Sequence, residues 1–240
     1  MPEIRIVAPA ASRGACMLAQ ILGCGIGAPD PGLYNVAWGR MVPAEYPGLN
    51  LGPTVDKGRE LEIMRDAGVR VPQYRSSLNG ESVWLPRTRS HRGGTDLRSH
   101  TAADYWTLYE PLACEGRVHV FQGRAVRIGA KYWAGEGPES AQHPIIRSEA
   151  YGWKVSYSTE HRDRLGRDRS GLIRAATRAV EALGLDFGAV DVGVSRDGPI
   201  VLEVNRAPGL NERTAGKYAE CIRGACALPT MPQDRSLAPT

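Results

Sequence analysis

A chain of 240 residues, 42% hydrophobic and 23% charged, can bury a substantial core and has the make-up of an ordinary folded protein, which excludes a disordered or low-complexity class. No apolar run approaches the ~18 residues of a membrane-spanning helix, and the opening MPEIRIVAPA lacks the basic-then-apolar pattern of a signal peptide, so a cytoplasmic location without a membrane partner is expected. A net charge of +4 suits phosphate-bearing or acidic ligands and is too weak to point to nucleic acid.

The first element is a short strand in EIRIVAPA, followed by a helix in SRGACMLAQIL that Ser12 caps. Residues 23–52 are rich in glycine and proline and show little periodicity apart from a short strand expected over 34–36. A helix is predicted over 55–67, with Leu61 and Met64 on one face and Gly68 as its stop. From residue 82 the pattern turns strand-like, in SVWLPR, WTLYEPL, RVHVFQGRAVRI and GWKVSYS, with a hairpin turn near Gln122 and Gly123. The charge-dense connector EHRDRLGRDRS reads as a solvated, mobile loop. A helix over 170–183 stopped by Gly184, the strands FGAVDVGV and PIVLEVN, a helix over 214–226 and a frayed, proline-rich tail over 229–240 complete the chain.

The two late strands carry the most specific signal. Side chains alternate across a strand, so Val190, Val192 and Val194 share one face and Asp191 and Gly193 the other. In the second strand Ile200, Leu202 and Val204 form the apolar face and leave Val201, Glu203 and Asn205 opposite. Matching the apolar faces sets Val192 across from Leu202 and Asp191 across from Glu203, with a three-residue loop of Arg196, Asp197 and a left-handed Gly198. Two carboxylates directly opposite repel unless a cation or proton lies between them. Asp191, Glu203 and Asn205 together offer the hard oxygen ligands suited to Mg²⁺. Spacing alone leaves two readings: a hairpin with one solvated face, or a cation site.

FGAVDVGV followed by PIVLEVNRAPGL resembles the C-terminal catalytic core of the ATP-grasp carboxylate–amine ligases, especially the ribosomal-protein glutamate ligase-like and phage-encoded branches, and the likeness continues upstream over about residues 51–218. It implies an α/β (α+β) ATP-grasp fold in which two α+β lobes grip ATP. Residues 1–52 would be a reduced N-terminal α/β segment, shorter than the family's usual one. Residues 53–228 would be the ATP-grasp domain, with a small lobe over about 70–113, a catalytic lobe over about 114–228 and a flexible tail over 229–240.

The resemblance also implies roles. Asp191, Glu203 and Asn205 would hold the Mg²⁺ ions that bridge the ATP phosphates, with two ions implied and Mn²⁺ as the substitute. VWLPRTRSHRGGTDL resembles a strand and a glycine-rich loop closing over the triphosphate, where Gly93 and Gly94 let backbone N–H groups approach phosphate and Arg87, Arg89 and Arg92 supply charge. In LYEPLACEGRVHVF, Glu110 and Leu112 would meet adenine, Glu115 the ribose hydroxyls, and Arg117 the phosphate or acylphosphate. Lys57, Lys131 and Arg147 match phosphate-binding basic positions. The function implied is ATP-dependent joining of a carboxylate donor to an amine acceptor (an amino acid, peptide or protein) through an acylphosphate, with release of ADP and phosphate. An ATP-grasp-type kinase, and a nucleotide- or nucleic-acid-binding protein without ligase activity, are the alternatives; the retained Asp191, Glu203 and Asn205 disfavour the last.

Other signals are weaker. GCGIGA fits the dinucleotide fingerprint Gly-x-Gly-x-x-Ala but follows a helix instead of joining a strand to one, so it is rejected. The cysteines Cys16, Cys24, Cys114, Cys221 and Cys226 lack Cys-x-x-Cys spacing and read as reduced thiols. His119 reads as a packed strand histidine.

Overall fold

The computed structural model describes residues 2–9, 11–77, 83–87, 103–135, 147, 149 and 152–227. The described strands form three sheets. In the first, β1 (Ile4–Val7), β2 (Gly25–Ile26), β3 (Tyr34–Ala37) and β4 (Gly48–Leu49) run parallel in the order β2-β1-β3-β4, and helix α1 (Arg13–Leu22) connects β1 to β2. The Ser12 hydroxyl caps α1 as expected, accepting from the Ala15 N–H at 3.4 Å. GCGIGA supplies β2, a strand that follows a helix, so its glycines do not sit at a strand-to-helix turn.

Helix α2 (Lys57–Asp66) starts at Asp56, whose carboxylate accepts from the N–H groups of Gly58 and Arg59 at 2.8 and 3.1 Å. It leads into an antiparallel sheet of β5 (Tyr74–Arg75), β6 (Trp84–Arg87) and β7 (Tyr105–Leu108), ordered β5-β7-β6. The third sheet holds β8 (Cys114–Phe121), β9 (Arg124–Trp133), β10 (Trp153–Ser156), β11 (Phe187–Ser195) and β12 (Gly198–Asn205), antiparallel throughout in the order β10-β9-β8-β11-β12. Gln122 and Gly123 make the β8–β9 turn as predicted, both at positive φ. Between β10 and β11 lie α3 (Thr159–Asp163), a 3₁₀ turn (Gly166–Asp168) and α4 (Arg169–Ala182); α5 (Glu212–Ala227) follows β12.

The connector expected to be a mobile loop is therefore partly helical. Ser158 caps α3, and the fully buried Leu165 anchors the segment beneath Gly116 and within the core that α4 completes. One leucine in a run of charges is enough to pin it.

Two cores cover the large sheet. On one face Leu61 and Met64 of α2 and Leu172, Ala176, Ala179 and Val180 of α4 bury Val118, Val120, Val190, Val192, Val201 and Val204. On the other, Phe121 and Phe187 pack with Trp38 of the first unit and Tyr218 of α5; Trp38 stacks on Phe187 at 5.3 Å and meets Tyr218 edge-on at 5.5 Å. Alternation along β11 puts Phe187, Ala189 and Asp191 on this second face, so it is apolar and covered at the Phe187 end and polar from Asp191 onward.

The β11–β12 register holds one correction. Asp191 does lie opposite Glu203, but Val192 pairs with Val201 and not Leu202, because a bulge intervenes at this point. Ser195 pairs with Gly198, so the loop is the two residues Arg196 and Asp197, with Gly198 at φ +104°. The extra residue expected in the turn is taken up at Leu202. The bulge reverses the alternation, sending Val201 into the same core as Val204 and leaving Leu202 half-buried.

Asn50 fixes where β11 begins. Buried, in the left-handed conformation (φ +54°), it donates from its backbone N–H to the Asp186 carboxylate at 2.5 Å and from Nδ2 to the Phe187 carbonyl at 2.9 Å. Its Oδ1 accepts from the N–H groups of Asp186 and Phe187 at 2.8 and 3.0 Å. Losing the side chain strands these buried groups, so Asn50→Gly, which keeps the backbone relaxed, should lower unfolding free energy by roughly 2–4 kcal/mol. Denaturant titration checks this; a loss below about 0.5 kcal/mol would show that the amide is dispensable.

Candidate active site

The polar end of the second face carries a cross-strand row running from β12 through β11 to β8: Glu203, Asp191 and Arg117. Arg117 grips Asp191 bidentately, Nε to Oδ1 at 2.7 Å and Nη2 to Oδ2 at 2.9 Å. Burial alone would raise the Asp191 pKa, but the Arg117 charge and its hydrogen bonds, with Lys131 beyond, outweigh that and hold it at about 2. The Asp191 charge in turn pushes the Arg117 pKa up. Glu203 is more open, its side chain 42% exposed, and meets Lys57 Nζ at 3.2 Å.

A second row crosses Gly193, Glu115 and Lys131. Glu115 and Lys131 form a close ion pair, and burial raises the Glu115 pKa against the pull of Lys131. Gly193 leaves room for Leu112 against the sheet: a Cβ there would meet Leu112 Cδ1 at 2.7 Å, so a larger residue would push that side chain aside. Arg147 donates to the Leu112 carbonyl at 3.0 Å and stacks 4.9 Å over the Trp153 ring.

The expected site residues are thus brought together in two groups, Lys57, Arg117, Asp191 and Glu203 in one and Leu112, Glu115, Lys131 and Arg147 in the other. Asn205, two residues past Glu203, pairs with Ala189 on β11. Glu110 is drawn to Arg70, whose guanidinium also donates to the Gly198 carbonyl at 3.0 Å at the hairpin turn. Arg87 lies on the three-stranded sheet and donates to Thr107 at 3.0 Å. Arg89, Arg92, Gly93 and Gly94, and the tail over 229–240, lie outside the described residues.

The sequence reading missed Glu60 and Arg206. Glu60, 1% exposed, binds Lys57 Nζ at 3.0 Å and faces Arg206 Nε at 3.5 Å, and burial raises its pKa against those two charges. Lys57 also donates to the Val204 carbonyl, so this buried network steadies the strand between Glu203 and Asn205. The three-residue spacing of Lys57 and Glu60 on α2 was the available signal. Among the described residues no group of three or more His, Cys, Asp or Glu side chains forms a metal cluster. The set here is two carboxylates and one carboxamide, hard oxygen donors with one carboxylate firmly ionised, which fits Mg²⁺ or Mn²⁺.

Next along β8, His119 is buried between two phenols, Nδ1 to Tyr218 Oη at 3.2 Å and Nε2 to Tyr157 Oη at 2.8 Å. Burial, then the Arg117 charge, lower its pKa to about 3.

Two carboxylates bracketed by cations on an antiparallel sheet, with a smaller sheet beside it, define the class: the chain has the ATP-grasp fold. It superposes on the ATP-grasp ligase PsnB complexed with a minimal precursor (TM-score 0.60, 13% identity, 93% of this chain and 99% of that one). It likewise superposes on a RimK domain ATP-grasp protein from Sphaerobacter thermophilus (0.57, 16%, 92% and 99%) and on D-alanine–D-alanine ligase from Bacillus anthracis (0.59, 13%, 93% and 97%). In sequence it is 32% identical over 124 residues to a probable alpha-L-glutamate ligase of Pseudomonas putida (45% of this chain, 40% of the relative). With the protein of the same name from Coxiella burnetii it is 34% identical over 113 residues (41% and 36%). The chain spans about two fifths of the length of the curated relatives it matches. No protein-family model matches it.

A free imidazole binds its proton near pH 6.5, whereas folded His119 does so only at about 3. Between these values the unfolded state binds more protons, so His119 makes stability fall as pH is lowered through this window. NMR titration of the ring should find it neutral at pH 5; titration near the free value would overturn the assignment.

Proposed function

We propose that this chain is an ATP-dependent carboxylate–amine ligase that forms an amide or peptide bond through an acylphosphate. The observation carrying this is the Glu203–Asp191–Arg117 row, set on the open half of the sheet in an ATP-grasp fold. ATP would lie between the small lobe (about 70–113) and the catalytic lobe (about 114–228), with Leu112 and Glu110 toward adenine and Glu115 toward ribose. The similarity to probable alpha-L-glutamate ligases makes an amino acid the simplest substrate, and the PsnB complexes with precursors make a peptide the second.

Asp191, Glu203 and Asn205 would hold Mg²⁺, which offsets phosphate charge when bound. Buried Lys57 keeps Glu203 in place, and Arg117 keeps Asp191 ionised at any working pH. In the first step a carboxylate oxygen attacks the γ-phosphorus and ADP leaves. In the second the amine nitrogen attacks the acyl carbon, the C–O bond to phosphate breaks, and the amine gives up a proton. Arg117, Arg147, Lys131 and Arg87 would stabilise the transferring phosphoryl group and the tetrahedral oxyanion. The basic, glycine-bearing stretch with Arg89, Gly93 and Gly94 would close over the triphosphate and exclude the water that hydrolyses an acylphosphate.

Glu203→Gln should reduce acceptor-dependent ADP release about a hundredfold while the protein still folds, because that side chain is the open member of the row. Screening ADP release against amino acids and peptides, with mass analysis of products, tests the whole reading. Undiminished activity in the variant would remove the metal assignment, and a stable phosphorylated product without an amide would replace the ligase with a kinase.

A further inference from the structure

The row that carries the two carboxylates does not end at Arg117. Arg117 pairs with Gly129 on β9, and the β9–β10 register sets Val155 opposite Lys131 and Ser156 opposite Ala130, so the next residue, Tyr157, falls opposite Gly129. Cross-strand partners point to the same face, which makes the full row Glu203, Asp191, Arg117, Gly129 and Tyr157. Gly129 brings no side chain to it. The Tyr157 ring takes that seat, since a Cβ on Gly129 would meet Tyr157 Cε1 at 2.8 Å. Paired Cβ positions lie about 5 Å apart, so Arg117 has Asp191 on one flank and this ring on the other.

Two contacts hold the ring. The Arg127 guanidinium sits 4.0 Å over it and is itself tied to Asn211 Oδ1 at 2.7 Å. The Tyr157 hydroxyl meets His119 Nε2 at 2.8 Å, and the direction of that bond is fixed by its neighbours. Tyr218 gives its one hydroxyl hydrogen to the Gly188 carbonyl at 3.3 Å, a group that can only accept. The Tyr218 oxygen therefore accepts from His119 Nδ1–H at 3.2 Å. Buried His119 is neutral and carries a single N–H, so Nε2 is bare and takes the Tyr157 proton. Arg117, for its part, spends Nε and Nη2 on Asp191, and among the described residues its Nη1 has no acceptor.

We infer that Tyr157 is a positioning residue for Arg117: its ring, seated over Gly129 and anchored through His119, confines the guanidinium against Asp191 so that Nη1 meets the transferring phosphoryl group or the acylphosphate. This role rests on the reading of the row as the reaction centre. A side chain confined on both flanks has little freedom left to lose when charge develops beside it, so the ring acts on the chemical step and not on nucleotide affinity.

Two measurements on the full chain test the role. Nitrogen NMR of the His119 ring should show Nδ1 protonated and Nε2 bare; the opposite tautomer would reverse the Tyr157 hydroxyl and overturn the anchor. In the same nucleotide-free protein the Arg117 Nε–H, assigned through Arg117→Lys, should be protected from solvent exchange. Tyr157→Ala should cut that protection at least about tenfold, and Tyr157→Phe should keep it. In acceptor-dependent ADP release, Tyr157→Ala should lower kcat roughly 10–100-fold with the KM for ATP within about threefold of wild type, while Tyr157→Phe stays within about threefold on both. Tyr157→Leu, which keeps apolar bulk without a flat ring, takes the place of the alanine variant if that one does not fold. Unchanged exchange and kcat on loss of the ring, equal losses in the phenylalanine variant, or a loss confined to KM would overturn the role. No ADP release from the wild type, with Arg117 protection still lost in Tyr157→Ala, would sink the ligase reading and leave the positioning of Arg117 standing.

Discussion

Two carboxylates set directly across an antiparallel pair repel each other, and much of this protein is arranged to hold cations against them. Arg117 takes both oxygens of Asp191, and Lys57 reaches in from helix α2 to Glu203. Neither cation is free to wander. Arg117 is fixed in the central strand β8, and Lys57 is locked by Glu60, itself opposed by Arg206. The arrangement keeps Asp191 charged although it is buried, a state that desolvation alone would forbid.

That polar patch exists because the remainder of the same sheet face is closed. Trp38, Phe121, Phe187 and Tyr218 interlock at one end and exclude water there, and the first parallel sheet contributes Trp38 to this packing. The N-terminal unit thus shares a core with the large sheet and approaches the loop after Asn205: a Cβ on Gly14 would meet the Pro208 carbonyl at 2.8 Å.

The sequence announced those features that depend on local alternation. The Asp191–Glu203 pairing, the Ser12 cap and the Gln122–Gly123 turn follow from period, cap and turn chemistry, each carried by residues close in the chain. What escaped depends on contacts between distant segments. Asn50 looks like any loop asparagine until residues 186 and 187 meet it, and Glu60 looks like a surface acid until Arg206 arrives from beyond β12. The connector over 160–170 was misjudged because net polarity hid one anchoring leucine. The bulge was hidden for another reason, since an extra residue fits a longer turn as well as a kinked strand.

That surplus residue at Leu202 separates two tasks along one strand. On its turn side β12 only packs, through Val201 against Val192; beyond the bulge it packs through Val204 and presents Glu203 and Asn205 on the polar face. Bending between the two lets the acidic end be aimed without disturbing the ladder that holds it. A lineage could therefore retune the reach of its carboxylates by moving or reshaping a single half-buried residue, with the acidic residues themselves left unaltered.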